Sequence, residues 1–333
     1  MLYVKYLIVP VGRHPDNGRM KNYKSVLVLT LALSCWSGCT SNSSTASTTT
    51  NGNLKILCTT KMLSGPLSDI VGSHAEITTL MGPGVDPHLY KPSPGDVRQI
   101  SSSDLVLFHG HHLEGRMGEV LSRAEGVTRD GRTRRAFAVT ERIPEDRLII
   151  TTSGTVDPHL WMDISLWLDV AREIERILAE VDPANSAEFA SSITQLEHEL
   201  TLLDEQVEAL LASIPPQRRI LVTAHDAFGY FGRRYGLEVL GIQGISTESE
   251  ASIQRVNSLV EILSSRKIPA VFVESTVPER NVRALIEGCK SRGHNLRIGG
   301  VLYSDAPGPA DSGAARWRTM VLHNAQVISE ALR

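Results

Sequence analysis

The sequence predicts an α/β protein of two lobes, each a four-stranded, mainly parallel sheet flanked by helices, joined by one long rigid helix. Three observations predict it. Short β-branched runs alternate with segments whose apolar residues recur at helical spacing, which is the pattern of βαβ units and parallel sheets. The runs fall into two sets of four, which suits two lobes better than one barrel. Between the sets lies Asn185 to Ser213, a stretch without glycine or proline.

The elements follow in order. Lys21 and Lys24 precede the apolar run Val26–Leu33, and Ser34-Cys-Trp-Ser-Gly-Cys39 follows it. A basic start, a short apolar run and small residues before a cleavage point make a secretory signal within residues 1–39. The run is shorter than the ~20 apolar residues a membrane span requires. Met20 sits directly before the basic segment, so residues 1–19 read as an extension ahead of a second start. Ser37-Gly-Cys39 resembles a bacterial lipobox, with Trp36 where leucine is usual; Cys39 is the lipid-attachment candidate and Cys35 the weaker one. The Ser/Thr-rich tract Thr40–Asn53 cannot bury a core and makes a flexible tether.

Strands are predicted at Leu54–Thr60, Glu76–Met81, Leu105–His109 and Arg135–Thr140, forming an N-terminal metal-binding lobe over 54–184. Ile164, Leu168, Ala171, Ile174 and Leu178 mark one of its helices. The linker helix spans 185–213, with Phe189, Ile193, Leu196, Leu200, Leu203, Val207 and Leu210 on one face. Its length is about 44 Å. Asp182-Pro183 precedes it and Pro215-Pro216 ends it. The second set of strands, Arg219–Ala224, Leu237–Gln243, Ala270–Glu274 and Leu296–Leu302, builds a C-terminal lobe over 214–333.

At 333 residues, 41% hydrophobic and 21% charged, the chain has the composition of a globular protein. A net charge of −3 offers no basic face for nucleic acid. No glycine-rich phosphate loop is present, so the chain does not hydrolyse ATP itself. Cys58 and Cys289 are the two cysteines beyond the signal. They read as small buried apolar residues, with pairing in an oxidising compartment as the alternative.

One pattern occurs twice: Asp86-Pro-His-Leu-Tyr90 and Asp157-Pro-His-Leu-Trp161. Each follows a loop and precedes a helix; after the first, Ser93, Pro94 and Asp96 read as N-cap, N1 and N3. The proline fixes the backbone, and Tyr90 or Trp161 can wall off the imidazole. The repeated device points His88 and His159 at a common point, as neutral imidazoles suited to zinc, copper, iron or nickel. In the other half, Ile220-Leu-Val-Thr-Ala-His225 and Gly299-Gly-Val-Leu-Tyr-Ser-Asp305 bring a histidine and a carboxylate to the ends of apolar strands, where α/β sheets bind ligands. Four protein donors leave little room for a catalytic water, since open catalytic sites usually keep three protein ligands.

With these residues in place, the chain resembles the metal-receptor (cluster A-I substrate-binding) proteins of zinc/manganese ABC importers. The resemblance covers Leu54 to Arg333. It rests on Gly-Val-Asp-Pro-His-Leu-Tyr-Lys-Pro (84–92), Leu-Glu-Gly-Arg-Met (113–117), Asp-Pro-His-Leu-Trp-Met-Asp (157–163), Ala-His-Asp-Ala-Phe-Gly-Tyr-Phe (224–231), Gly-Ile-Gln-Gly-Ile-Ser (241–246), Phe-Val-Glu (272–274) and Leu-Tyr-Ser-Asp-Ala (302–306). It implies two α/β lobes joined by a long helix. It also implies one divalent ion held between the lobes by His88 and His159 from the first and His225 and Asp305 from the second. Delivery to a membrane permease driven by a cytoplasmic ATPase is part of the implication, as is a monomeric, exported, lipid-anchored protein facing the periplasm or cell exterior.

Three imidazoles and a carboxylate favour zinc by donor type, while a bidentate Asp305 would bring manganese within reach. No His-rich loop lies between Leu113 and Asp157. The competing readings are a metal-dependent hydrolase, for which no His-Glu-x-x-His pattern is present, and a surface adhesin with structural metal. His109, His111 and His112 read as a surface cluster, with transient metal loading as the alternative. Glu274 reads as an acceptor that orients a ligand imidazole or as a structural residue. His198 and His323 read as helix residues, His74 and His294 as turn residues, and Arg129 to Arg135 as a solvated loop.

Overall fold

The computed structural model describes residues 53–128 and 131–333. The signal segment, Cys35, Cys39, the tether up to residue 52 and Arg129 lie outside the described residues. The first half runs β1 (Leu54–Thr60), α1 (Lys61–Val71), β2 (Ala75–Met81), α2 (Pro94–Ser102), β3 (Leu105–Phe108), α3 (Gly118–Ser122), β4 (Gly126–Val127), β5 (Thr133–Ala138) and α4 (Ile164–Val181). The long helix α5 (Ser186–Ala212) follows. The second half runs β6 (Ile220–Thr223), α6 (Gly229–Tyr235), β7 (Glu238–Gly241), α7 (Ile253–Arg266), β8 (Ala270–Glu274), α8 (Arg280–Ser291), β9 (Arg297–Leu302) and α9 (Trp317–Leu332).

The eight predicted strands are present within two residues of their expected ends, in the two-lobe α/β arrangement. The first sheet has the order β2-β1-β3-β5-β4, parallel except for the last. It therefore has five strands, not four: β4 is a two-residue antiparallel edge too short to register as an alternating pattern in sequence. In the second half the hydrogen-bonded ladders are two parallel pairs, β6-β7 and β8-β9, with β6 lying alongside β8. Gly299 and Gly300 in β9 let α9 pack directly on the strand, where a Cβ at Gly300 would meet Val327 Cγ1 at 2.5 Å.

Local chemistry sets the helix starts. Ser93 accepts from the Asp96 N–H, and Asp96 accepts from the Ser93 N–H, a reciprocal capping box with Pro94 at the first position. Asp163, the last residue of the second histidine motif, caps α4 by accepting from Ser165 and Leu166 N–H. Helix α4 buries Trp167, Ala171, Ile174 and Leu178, spaced three or four apart.

Helix α5 is 27 residues long and buries Phe189, Ile193, Leu196, Leu200, Leu203, Val207 and Leu211. Six of these are the predicted positions; near the C-terminus the buried face moves from Leu210 to Leu211. The helix lies against α1 and α4 from the first half and α9 from the second. One apolar cluster consequently runs from β1 through α4 and α5 into α9, and a second lies between β6, β8, α7 and α8. This layout stiffens the connection: α5 is packed along its length, not suspended between lobes.

Arg129 to Arg135 is not simply a solvated loop. From Thr133 it is strand β5, and Arg134 is buried, donating to the Ala124 and Ser101 carbonyls. Cys58 and Cys289 are both free and buried.

Candidate metal centre

Each proposed donor leaves the carboxyl end of a strand or its following loop, and a local device aims it. In both Asp-Pro-His motifs the aspartate accepts the backbone N–H of the histidine two residues on, at 2.9 Å for His88 and 3.0 Å for His159. The proline sits inside a tight Asx turn whose closing bond comes from the aspartate. Asp157 also accepts from His159 Nδ1 at 2.6 Å. His225 is treated alike from the other lobe: Glu274, the last residue of β8, accepts its backbone N–H at 2.8 Å and its Nδ1–H. A carboxylate only accepts, so Nδ1 carries a proton in both rings and Nε2 is the nitrogen left to coordinate.

The four side chains converge. One donor atom from each of His88, His159, His225 and Asp305 lies within 4.8 Å of the others. Their residues are 3%, 0%, 0% and 1% exposed. His88 Nε2 is 3.3 Å from His159 Nε2. The Asp305 oxygens lie 3.5 Å from His159 Nε2 and 3.3 Å from His225 Nε2, ion-pair distances. His225 Nε2 and Asp305 Oδ1 nevertheless have no hydrogen-bond partner. Buried polar atoms are nearly always paired. Donors that face one another without bonding share a target, and imidazole and carboxylate are the donor types a transition-metal ion takes.

The electrostatics are those of a site that exchanges protons for cation charge. Burial pushes His88 down to about 3 despite the pull of Asp305, so its ring is neutral. Burial would also lower His159, but the charge and hydrogen bond of Asp157, aided by Asp305, raise it to about 9. His225 is raised well above the usual imidazole value, because Asp305 and Glu274 outweigh burial. Asp305 is held well below the usual carboxylate range by His225 and His159, although burial works the other way. Two imidazolium rings thus face Asp305, and the proton on His159 Nε2 points at the lone pair of His88.

Trp161 walls off His159, its ring centroid 5.2 Å from the imidazole. Its indole N–H donates to the Ser304 carbonyl, next to Asp305, while its own carbonyl accepts from Trp317 Nε1. It thereby ties the Asp305 loop to the His159 loop. Tyr90 does otherwise: its hydroxyl donates to Asp96 at the start of α2. Two further contacts cross the cleft, Thr247 to Asp86 at 2.5 Å and Arg116 to Glu248 at 3.2 Å. The pairing of Thr247 with Asp86 had no signal in sequence.

His109 is not part of a surface cluster. It is fully buried, bonded through Nε2 to the Thr60 hydroxyl at 2.7 Å and flanked by Trp161 and Trp167. Burial lowers it to about 3. His111 and His112 remain near solvent. His294 is buried and bonded to the Ile268 carbonyl at 2.7 Å. His74 meets Glu188 and His323 meets the Val301 carbonyl, while His198 is exposed on α5.

Glu274 makes a testable contribution. Both its oxygens accept from His225, so in a Glu274→Gln variant the amide group must face one N–H with another. Metal affinity should fall about 10- to 100-fold, read by competition with a chromophoric chelator. An affinity within twofold of wild type would remove Glu274 from the orienting role.

A family model described as zinc-uptake complex component A, periplasmic, matches residues 56–331. The chain is 41% identical over 310 residues to the manganese-binding lipoprotein MntA of Bacillus subtilis, covering 93% of this chain and 98% of that protein. It is 39% identical over 302 residues to the zinc-binding protein TroA of Treponema pallidum, covering 91% and 96%. The solved structure of the T. pallidum periplasmic zinc-binding protein superposes with a TM-score of 0.81 at 40% identity, covering 84% of this chain and 99% of that one.

Proposed function

This chain belongs to the zinc-uptake complex component A family, and we propose that it is an exported, lipid-anchored receptor that binds one divalent transition-metal ion and delivers it to an ABC importer. The ion is cargo, held by His88, His159 and His225 through Nε2 and by Asp305. The observation that carries this reading is the convergence of four buried donors within 4.8 Å of one another, two of them without a hydrogen-bond partner. The donors come from loops on both sides of α5, which supports lobes at 54–184 and 214–333 with 185–213 as connector. Four buried protein donors make a closed site, the form used to hold an ion; catalytic sites keep a position open for water. The chain therefore acts as a receptor, not an enzyme.

Several relatives are named as lipoproteins and as ABC transporter substrate-binding proteins, which supports acylation of Cys39, tethering by Thr40–Asn53, and a permease with its ATPase as partners; the monomeric state is part of the proposal. No helix of the described residues is long and apolar enough to cross a membrane.

The donor set accommodates zinc through three nitrogens and one oxygen. It also accommodates manganese, since both Asp305 oxygens face the imidazoles and can chelate. Affinity at such sites rises from manganese to zinc. At equal free concentrations zinc should therefore displace manganese in a competition titration, with one ion bound per chain. Manganese retained against equimolar zinc would show that the cavity selects by coordination number and would overturn the assignment of zinc as the tighter ligand.

A further inference from the structure

His88, one of the four proposed ligands, lines a surface cavity. That cavity has a volume of about 470 Å³, and its lining includes His88, His111, His112 and Asp226, together with the 244–246 loop of the second lobe. The two histidines come from an unusual turn. Gly110, His111 and His112 follow one another at φ 95°, 47° and 62°. Left-handed backbone is costly for residues with a Cβ and persists where the surroundings enforce it. Glu114 enforces it here: its buried carboxylate accepts the His109 and Gly110 N–H groups and the Thr59 hydroxyl.

His112 is exposed, and His111 is partly buried. His111 Nε2 lies 3.3 Å from the Thr140 carbonyl, which can only accept. Its Nε2 therefore carries the proton and Nδ1 keeps its lone pair. Burial lowers the pKa of His111, which keeps that lone pair available. Asp226 also lines the cavity; its side chain forms no hydrogen bond with any described residue and adds a carboxylate oxygen donor to the lining.

We propose that His111, His112 and Asp226 form an entry chamber that takes a partly hydrated divalent transition-metal ion, strips water from it in steps, and passes it to His88. The inference rests on the receptor reading above. The chamber ligands act in transit and release the ion once His88 and the three deeper donors hold it. By detailed balance, a group that lowers the barrier between solvent and the final site speeds arrival and departure equally.

The test is kinetic. The metal-free full chain is mixed rapidly with zinc and followed by tryptophan emission; the zinc-loaded chain is mixed with excess chelator. The double variant His111→Gly, His112→Gly suits the left-handed backbone and removes both rings. His111→Asn, His112→Asn, which also tolerates that conformation, decides the matter if the glycine variant does not fold. Association and dissociation should both slow about tenfold, leaving the equilibrium constant within about twofold of wild type. Unchanged rates would overturn the chamber. Weaker binding through faster dissociation alone would also overturn it, by placing the rings in the final coordination shell. If wild type itself takes up no stoichiometric zinc, the receptor reading fails and the chamber with it; if wild type binds and the variants match its rates, only the chamber fails.

Discussion

Replacing His225 by alanine is expected to cost metal affinity and fold stability together, whereas replacing His88 by alanine costs the affinity alone. Four-donor metal sites release roughly 10–16 kcal/mol on binding. Losing one donor thus removes roughly 3 kcal/mol, about a hundredfold in affinity. Competition titration against a chromophoric chelator should read that loss in both variants. The two differ without metal. His225 is the positive partner of two buried carboxylates, Glu274 and Asp305. Removing one member of such a buried group typically costs about 3–5 kcal/mol, because the remaining charge loses its partner. His88 is neutral, so its loss leaves no charge uncompensated. Thermal melting of the metal-free proteins should place His225→Ala well below wild type and His88→Ala close to it. Equal melting temperatures would show that His225 is not charged in the closed fold. Wild-type affinity in both variants would dismantle the proposed site.

Metal binding at neutral pH should release about two protons per ion. His159, raised to about 9, and His225, raised well above its ordinary value, both carry a proton on Nε2 before the metal arrives. Coordination removes those two protons, while the Nδ1 protons stay on the rings, donated to Asp157 and Glu274. His88 and Asp305 have none to give near neutrality. A divalent ion thus replaces two protons, and the buried net charge is unchanged by the exchange. The sign follows: affinity rises with pH, up to about a hundredfold per unit, and the rise weakens as pH passes the His159 value near 9. Calorimetric titration at pH 7 in buffers of different ionisation enthalpy reads the number directly. Three ordinary imidazoles, each about a quarter protonated at that pH, would release about three-quarters of a proton in total. A result below one would show that the carboxylates do not hold these rings charged.

Much of this was legible in the sequence because it was written in local patterns. The alternation of strands and helices, the capping residues Ser93, Pro94 and Asp96, and the apolar stripe of α5 are decided by neighbours a few residues away. The repeated Asp-Pro-His motif is legible for the same reason, since an aspartate two residues before a histidine can close its turn wherever the chain goes. His109 shows the limit. In sequence it stands in a run of histidines and glycine that reads as polar surface, but it is packed between Trp161 and Trp167, the latter 58 residues further on and carried by α4. The two-residue strand β4 and the split of the second sheet into pairs were likewise invisible, because hydrogen-bond pairing of short strands depends on partners far away in the chain.

The sequence by itself determined the two-lobe α/β arrangement and which side chains have the chemistry to hold a transition-metal ion, since residue type and short-range turns settle both. The tertiary structure decided what those side chains are. It joined His88 and His159 to His225 and Asp305 within one buried point, and it set Glu274 and Asp157 behind two of the rings. It also assigned charge to His159 and His225 but not to His88. Those outcomes depend on distances between residues tens of positions apart and on the removal of water around them, and neither is written in any local stretch of the chain.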